Sequence, residues 1–184
     1  IIEYCKTMSN MLVDAFRACD TPAFDILHSH DWHLVEALHT LRDRNTVLSY
    51  HSTEYGRHGG NFGGWWEVKE ISGKEGYGGY IAKTVTTVSN STKTEVMWLY
   101  TVPEWKVTVI PNGIDPDAYY ARDDPGEVKK RYGIHPLAPV VLFVGRLTYQ
   151  KGPDLLMQAI PRILATRWDV QFLFAGTGAM RGYL

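Results

Sequence analysis

The sequence has 184 residues, 19 Lys and Arg against 20 Asp and Glu, and 45% hydrophobic residues. This composition excludes a disordered tail, a collagen-like repeat and a disulfide miniprotein, and a chain of this length buries roughly 70% of its unfolded surface. A formal charge of −1 argues against a general nucleic-acid binder, which needs a basic excess, but leaves room for a local cation pair aimed at one phosphate ligand.

Residues 1–19 place Ile1, Tyr4, Met8, Leu12, Phe16 and Cys19 three and four apart, which predicts a helix with one apolar face. Asp20-Thr21-Pro22 is expected to break it. Phe24–His28 reads as a short buried strand, Leu34, Val35, Leu38 and Leu41 as a helix stripe, and Thr46–Tyr50 as a second strand. Nine of the 17 glycines then fall between Gly56 and Gly79, interleaved with Trp65, Trp66, Tyr77 and Tyr80. So much glycine makes an uninterrupted helix expensive, so the segment is expected to be a loop with aromatic anchors, either covering a ligand or merely tolerated.

Thr84–Val88 is the next strand, and Ser89-Asn90-Ser91 offers caps for a helix through Val96 and Leu99. Lys106–Ile110 is another strand, ended by Pro111-Asn112-Gly113. Four prolines between 112 and 139 surround a short charged helix near Glu127–Arg131 and mark a domain boundary. Val140–Val144 starts a new sheet. Pro153–Leu164 is a helix with Pro at its first turn and a kink expected at Pro161, and Val170–Phe174 is the last strand. Strands alternating with helices, most of them continuous apolar runs, predict an α/β fold with parallel sheets covered on both faces. The apolar runs are too short to span a bilayer, no signal peptide is evident, and Cys5 and Cys19 have neither metal nor redox spacing. A reducing, cytoplasmic location is the expectation.

Ligands of such sheets bind outside the carboxyl ends of the strands. Gly145-Arg146-Leu147-Thr148-Tyr149-Gln150-Lys151-Gly152 joins a strand to a helix start there. Glycine permits the turn, the helix start favours an anion, and Arg146 and Lys151 supply a planar fork and a point charge suited to a diphosphate. Gly176-Thr177-Gly178 follows another strand as a nucleotide-side turn, although Arg181 stands where a third glycine of G-x-G-x-x-G would be. His51, after a strand and before the glycine-rich stretch, can serve a sugar hydroxyl or a developing charge. His28, His30 and His33 match part of a zinc-hydrolase spacing with Asp31 one place early, and Asp31 is equally a candidate N-cap of the next helix.

Six segments together resemble the retaining GT-B glycosyltransferases of family four, the group near glycogen and starch synthases. They are Asp25–Trp32, Tyr50–Glu54, Thr86–Ser89, Ile110–Asp115, Gly145–Leu147 with Gln150–Gly152, and Ala175–Gly178. The resemblance implies two Rossmann-like domains, each incomplete here, with the active site in the cleft between them. Residues 1–115 would be the later part of the acceptor-side domain, and 116–184 the linker and early part of the donor-side domain. It implies that Gly145, Arg146 and Lys151 hold a donor diphosphate, that Gly176, Thr177 and Gly178 form the nucleotide side, and that His51 and Asp31 are the catalytic candidates. Asn112-Gly113 would be a structural turn.

The expected reaction moves a sugar from a nucleotide-diphosphate sugar to a carbohydrate or other hydroxyl acceptor, a glucan among them, with no further cofactor, no metal and no nucleic acid. The alternatives are a zinc hydrolase built on His28, His30 and His33, and a non-catalytic nucleotide-binding module. The chain opens without Met, so it reads as part of a longer protein. The family's first-domain glycine loop would precede Ile1, and its E-x7-E segment would follow Leu184. The 184-residue chain alone is therefore expected to be inactive.

Overall fold

The computed structural model describes residues 1–19, 24–120 and 123–184. The expected break at Asp20-Thr21-Pro22 lies outside them. The chain divides into two units, Ile1–Ile114 and Asp115–Leu184.

The first unit is a parallel four-stranded sheet in the order β1 (Leu27–His30), β2 (Thr46–Tyr50), β3 (Thr84–Thr87), β4 (Val107–Val109). Helices α1 (Ile2–Cys19), α2 (Val35–Thr40), α3 (Glu54–Arg57), α4 (Trp66–Ile81) and α5 (Asn90–Tyr100) connect or flank the strands. Leu38, Leu48, Tyr50, Ala82, Val85, Val96, Val102 and Val107 form its main core. Thr53 caps α3 by accepting from the Gly56 N–H, and Ser89 caps α5 by accepting from the Thr92 N–H. Each bond satisfies a donor that a helix start leaves without an intrahelical partner.

Three expectations need correction. The helix α1 forms, but its buried stripe is Cys5, Ser9 and Val13, while Tyr4 and Leu12 are exposed. Small residues at 5 and 9 let it approach closely: Cys5 packs with Trp32 and Ile71, and the Ser9 hydroxyl faces the His33 carbonyl oxygen at 3.4 Å. The first strand is Leu27–His30 rather than Phe24–His28, with Phe24 and Ile26 exposed. His28 and His30 therefore belong to the strand itself.

The largest correction concerns the glycine-rich stretch, much of which is the sixteen-residue helix α4. Its buried face is Val68, Ile71, Ser72, Glu75, Gly78 and Gly79, a helical repeat of three and four. The glycines on this face mark close packing. A Cβ on Gly78 would lie 2.9 Å from Leu48 Cδ2, and one on Gly79 would lie 2.7 Å from Tyr50 Oη and 2.8 Å from Val102 Cγ2. Tyr50 uses that space to donate its hydroxyl to the Glu75 carbonyl oxygen at 2.5 Å. At the end of α4, Lys106 Nζ donates to the Gly79 and Tyr80 carbonyls at 2.8 and 2.7 Å, a cation placed where the helix dipole favours it.

Glu75 is 1% exposed. Its two carboxylate oxygens accept from the Glu54 N–H at 3.0 and 2.9 Å, and Oε2 also accepts from the Tyr100 hydroxyl at 2.5 Å. Burial pushes its pKa up to about 7, against the pull of these donors and of the Arg57 charge. Burial and the facing Glu75 charge also raise the Tyr50 and Tyr100 phenols.

In the second unit, α6 (Pro125–Arg131) precedes β5 (Val140–Val144), α7 (Pro153–Thr166) and β6 (Gln171–Ala175). Asp124 caps α6 by accepting from the Glu127 N–H at 2.9 Å. β5 and β6 pair in parallel from Val140↔Gln171 to Val144↔Ala175. α7 continues through Pro161, which costs it one intrahelical hydrogen bond. Among the described residues no helix is long and apolar enough to cross a membrane.

Two predictions test the packing of α4. Gly73 is exposed on the same helix with open space around its missing Cβ. Gly73→Ala should raise stability in urea unfolding by about 0.5–1 kcal/mol, whereas Gly79→Ala should lower it by about 1–2 kcal/mol, because overpacking outweighs the gain in helix propensity. The second concerns pH. The Glu75 carboxyl titrates near 4.5 when exposed and about 7 when folded, so between those values the unfolded chain releases a proton that the folded chain keeps. The Glu75 contribution to stability is therefore highest below about pH 4.5 and falls by about 3 kcal/mol by pH 7. Urea midpoints from pH 4.5 to 8 should show wild type losing stability relative to Glu75→Gln across that window.

Candidate functional site

At the carboxyl end of the first sheet, the register sets His30 beside Ser49 and Ser49 beside Thr86. His28 Nε2 lies 2.7 Å from Ser49 Oγ, which lies 2.5 Å from Thr86 Oγ1. Burial, with the nearby His30 and His51 rings, holds the His28 imidazole below its usual pKa. The His28 and His30 ring centres are 4.3 Å apart.

His51 follows the last residue of β2. Its Nε2 lies 2.9 Å from His30 Nδ1, and the two rings stack with centres 5.2 Å apart. At that separation one ring nitrogen must donate and the other accept, so the two facing atoms share one proton. The His51 N–H donates to Asp31 Oδ1 at 2.9 Å. Asp31 does not cap the following helical turn; its side chain is committed to the His51 backbone and, through Oδ2, to Arg57 Nη2 at 3.4 Å. Asp31 takes φ 52° and ψ −166°, a conformation a non-glycine residue adopts at a cost of roughly 1–3 kcal/mol and one that recurs at functional sites.

Arg57 ties the cluster together. Its Nε donates to Ser52 Oγ at 2.8 Å, and its Nη1 lies 3.5 Å from Glu54 Oε2. The sequence shows neither that His30 partners His51 nor that Arg57, Glu54 and Glu75 take part in the cluster, although Glu54 ends the Tyr50–Glu54 segment. The three-and-four repeat through Val68, Ile71, Ser72, Glu75 and Gly79 could have pointed to Glu75 had polar and glycine positions been admitted to a buried stripe.

The zinc alternative loses its third ligand. The ring of His33 stacks on Trp32 with centres 4.7 Å apart. Among the described residues no group of three or more His, Cys, Asp or Glu is placed to hold a metal ion.

In the second unit, the turns after β5 and β6 run side by side. The Gly145 N–H donates to the Ala175 carbonyl at 3.0 Å, Leu147 N–H to Thr177 at 2.8 Å, and Met180 N–H to Leu147 at 3.0 Å. Only glycine permits this approach: a Cβ on Gly176 would lie 1.8 Å from the Gly145 oxygen, and one on Gly178 would lie 2.3 Å from the Leu147 oxygen. Leu147 and Met180 are buried and anchor the paired turns, while Arg146 and Lys151 remain exposed. Arg146 Nη2 donates to Gln150 Oε1 at 3.0 Å. Lys151 closes a single 3₁₀ turn, and Gly152 and Pro153 start α7 directly after it. The turn thus presents two cations beside a helix start, an arrangement suited to an anion.

The pattern of Glycosyltransferase Family 4 matches residues 6–118, and that of Glycosyl transferases group 1 matches residues 138–184. An uncharacterized glycosyltransferase of Methanocaldococcus jannaschii is 40% identical over 167 residues, covering 88% of this chain and 42% of that protein. A glycogen synthase of Mycobacterium tuberculosis is 32% identical over 163 residues, covering 87% of this chain and 37% of its own length. The chain thus spans about two fifths of the length of these curated relatives. Among solved structures, sucrose-phosphate synthase from Thermosynechococcus elongatus superposes with a TM-score of 0.72 at 19% identity, over 95% of this chain and 43% of that one. An Anabaena protein, HepE, in complex with UDP and glucose gives 0.72 at 17% identity, over 96% and 45%. These structures share the α/β GT-B fold, and the chain belongs to Glycosyltransferase Family 4.

Proposed function

We propose that this chain is part of a retaining glycosyltransferase that moves a hexosyl group from a nucleotide-diphosphate sugar to a hydroxyl acceptor, with a glucan as the acceptor class. The observation that carries the reading is the cation-bearing turn Gly145–Gly152, locked by backbone hydrogen bonds to the glycine turn Gly176–Gly178. Family membership supports it, as do relatives named glycogen synthase and alpha-maltose-1-phosphate synthase and a structural neighbour that holds UDP and glucose.

In this reading the second unit is the donor side. The Gly145, Gly176, Thr177 and Gly178 backbone lies along the nucleotide side of the donor, and Arg146 and Lys151 face its diphosphate. As the bond between the sugar and the diphosphate oxygen breaks, negative charge grows on that oxygen, and two fixed cations stabilise it more in the transition state than in the bound donor. Arg146 offers a fork for two oxygens and Lys151 a single charge. The first unit is the acceptor side. His51 serves the transferred sugar through its ring, and Asp31 and His30 hold it in place. The same assignment disfavours a non-catalytic module, because the His51 cluster carries a strained residue that nucleotide binding alone does not require.

The test is a donor panel on the full-length parent, with UDP-, ADP- and GDP-glucose and a maltooligosaccharide acceptor, reading released nucleoside diphosphate. Arg146→Ala and Lys151→Ala should each cut turnover by about 100-fold or more, in the range seen on removing one transition-state charge partner. Near-wild-type transfer by both variants, or release from none of the donors, rejects the reading.

A further inference from the structure

One residue of α4 holds the His51 turn on both sides. Before His51, the Tyr50 hydroxyl donates to the main-chain carbonyl of Glu75. After it, the Glu54 N–H donates to both carboxylate oxygens of the same residue. Tyr50 is fully buried and Glu75 is 1% exposed, so neither bond competes with bulk water. Tyr100 fixes the carboxylate from a third direction, and its hydroxyl lies 3.2 Å from Ser72 Oγ.

A buried carboxylate on a helix face packed against a core is costly, and an apolar side chain would fill the same stripe more cheaply. What apolar packing cannot supply is a directional acceptor for a backbone N–H at the start of α3. Three residues separate Tyr50 from Glu54, and His51 is the first of them. With both anchored to one rigid helix, the backbone between them keeps a fixed course. That course sets the His51 N–H on Asp31 and the His51 ring against His30.

We propose that Glu75 is a positioning residue for His51: it grips Tyr50 through its carbonyl and Glu54 through its carboxylate, and so fixes the turn that presents the histidine. What His51 does for the reaction rests on the transferase reading above. The geometric role of Glu75 does not. The Tyr50 bond uses the main chain and survives substitution at 75, but the Glu54 bonds do not. A variant therefore leaves the turn anchored at one end, and a displacement of about 1 Å at a reacting group costs up to about 100-fold in rate.

The test uses the full-length enzyme with its best donor from the panel. Glu75→Gln keeps the volume but replaces one acceptor oxygen with an NH2 that faces other donors. Turnover should fall about tenfold or more with donor KM within about twofold and melting temperature near wild type. In a His51→Ala background, adding Glu75→Gln should lower turnover no further, the non-additivity expected of residues acting as one unit. Tyr100→Phe, which removes one donor to the carboxylate, should act in the same direction more weakly, and it replaces the Gln variant if that fails to fold.

Independently of turnover, the imidazole nitrogen signals of His51 and His30 in 15N-histidine NMR should shift in either variant. Unmoved His51 and His30 signals overturn the proposal; so, where His51→Ala itself loses turnover, do full turnover in the folded variants or losses that multiply in the double variant. Wild-type turnover in His51→Ala alone, with the histidine signals shifted by Glu75→Gln, overturns the transferase site and leaves the positioning role standing.

Discussion

A helix normally rests on a parallel sheet at a distance set by the side chains between them. In the first unit that distance collapses along one face of α4, where Gly78 and Gly79 stand over Leu48, Tyr50 and Val102 with no room for a methyl group. The close approach brings the Tyr50 hydroxyl to the helix backbone and places Glu75 against the start of α3. The turn between β2 and α3, which carries His51, is shaped by that contact. Widening it by a single Cβ would disturb the core and the turn together, because the same residues serve both.

The cost of this arrangement lies in polar groups and in one strained backbone. Glu75 sits in the core with a raised pKa, offset by hydrogen bonds from Glu54 and Tyr100. Asp31 holds a positive φ so that its carboxylate reaches the His51 N–H and Arg57 together. His30 and His51 share a hydrogen bond that fixes each ring through the other. Groups that cost stability in the native state and converge on one turn recur at functional sites.

The second unit reaches a polar, cation-bearing turn by other means. There the backbone itself does the positioning: two strand-to-helix turns continue the hydrogen bonding of β5 and β6 beyond the strands, at a separation that only Gly176 and Gly178 allow. Leu147 and Met180 lock the paired turns from below, which leaves Arg146 and Lys151 exposed on a fixed base. A cation held on a rigid turn needs little reorganisation to meet an anion, and that preorganisation is what gives electrostatic stabilisation its weight.

Read by itself, the sequence determined the alternation of strands and helices, because short runs rich in apolar and β-branched residues, such as Val140–Val144 and Thr46–Tyr50, are local signals of strands. It also determined the cap at Ser89 and the strand-to-helix turn at Gly145–Gly152, since caps and turn glycines act over a few residues. It misjudged the stretch from Gly56 to Gly79, because helix propensity counts glycine as a cost and cannot see a sheet close enough to need it. It also misplaced the buried face of α1, where Cys5 and Ser9 face inward for their small size rather than their apolarity. Only the tertiary structure decided that His51 is paired with His30, that Asp31 serves a backbone 20 residues away, and that Glu75 holds the turn between them. Each of those contacts joins elements distant in sequence, and local pattern carries no information about which distant side chain will supply a missing hydrogen-bond partner.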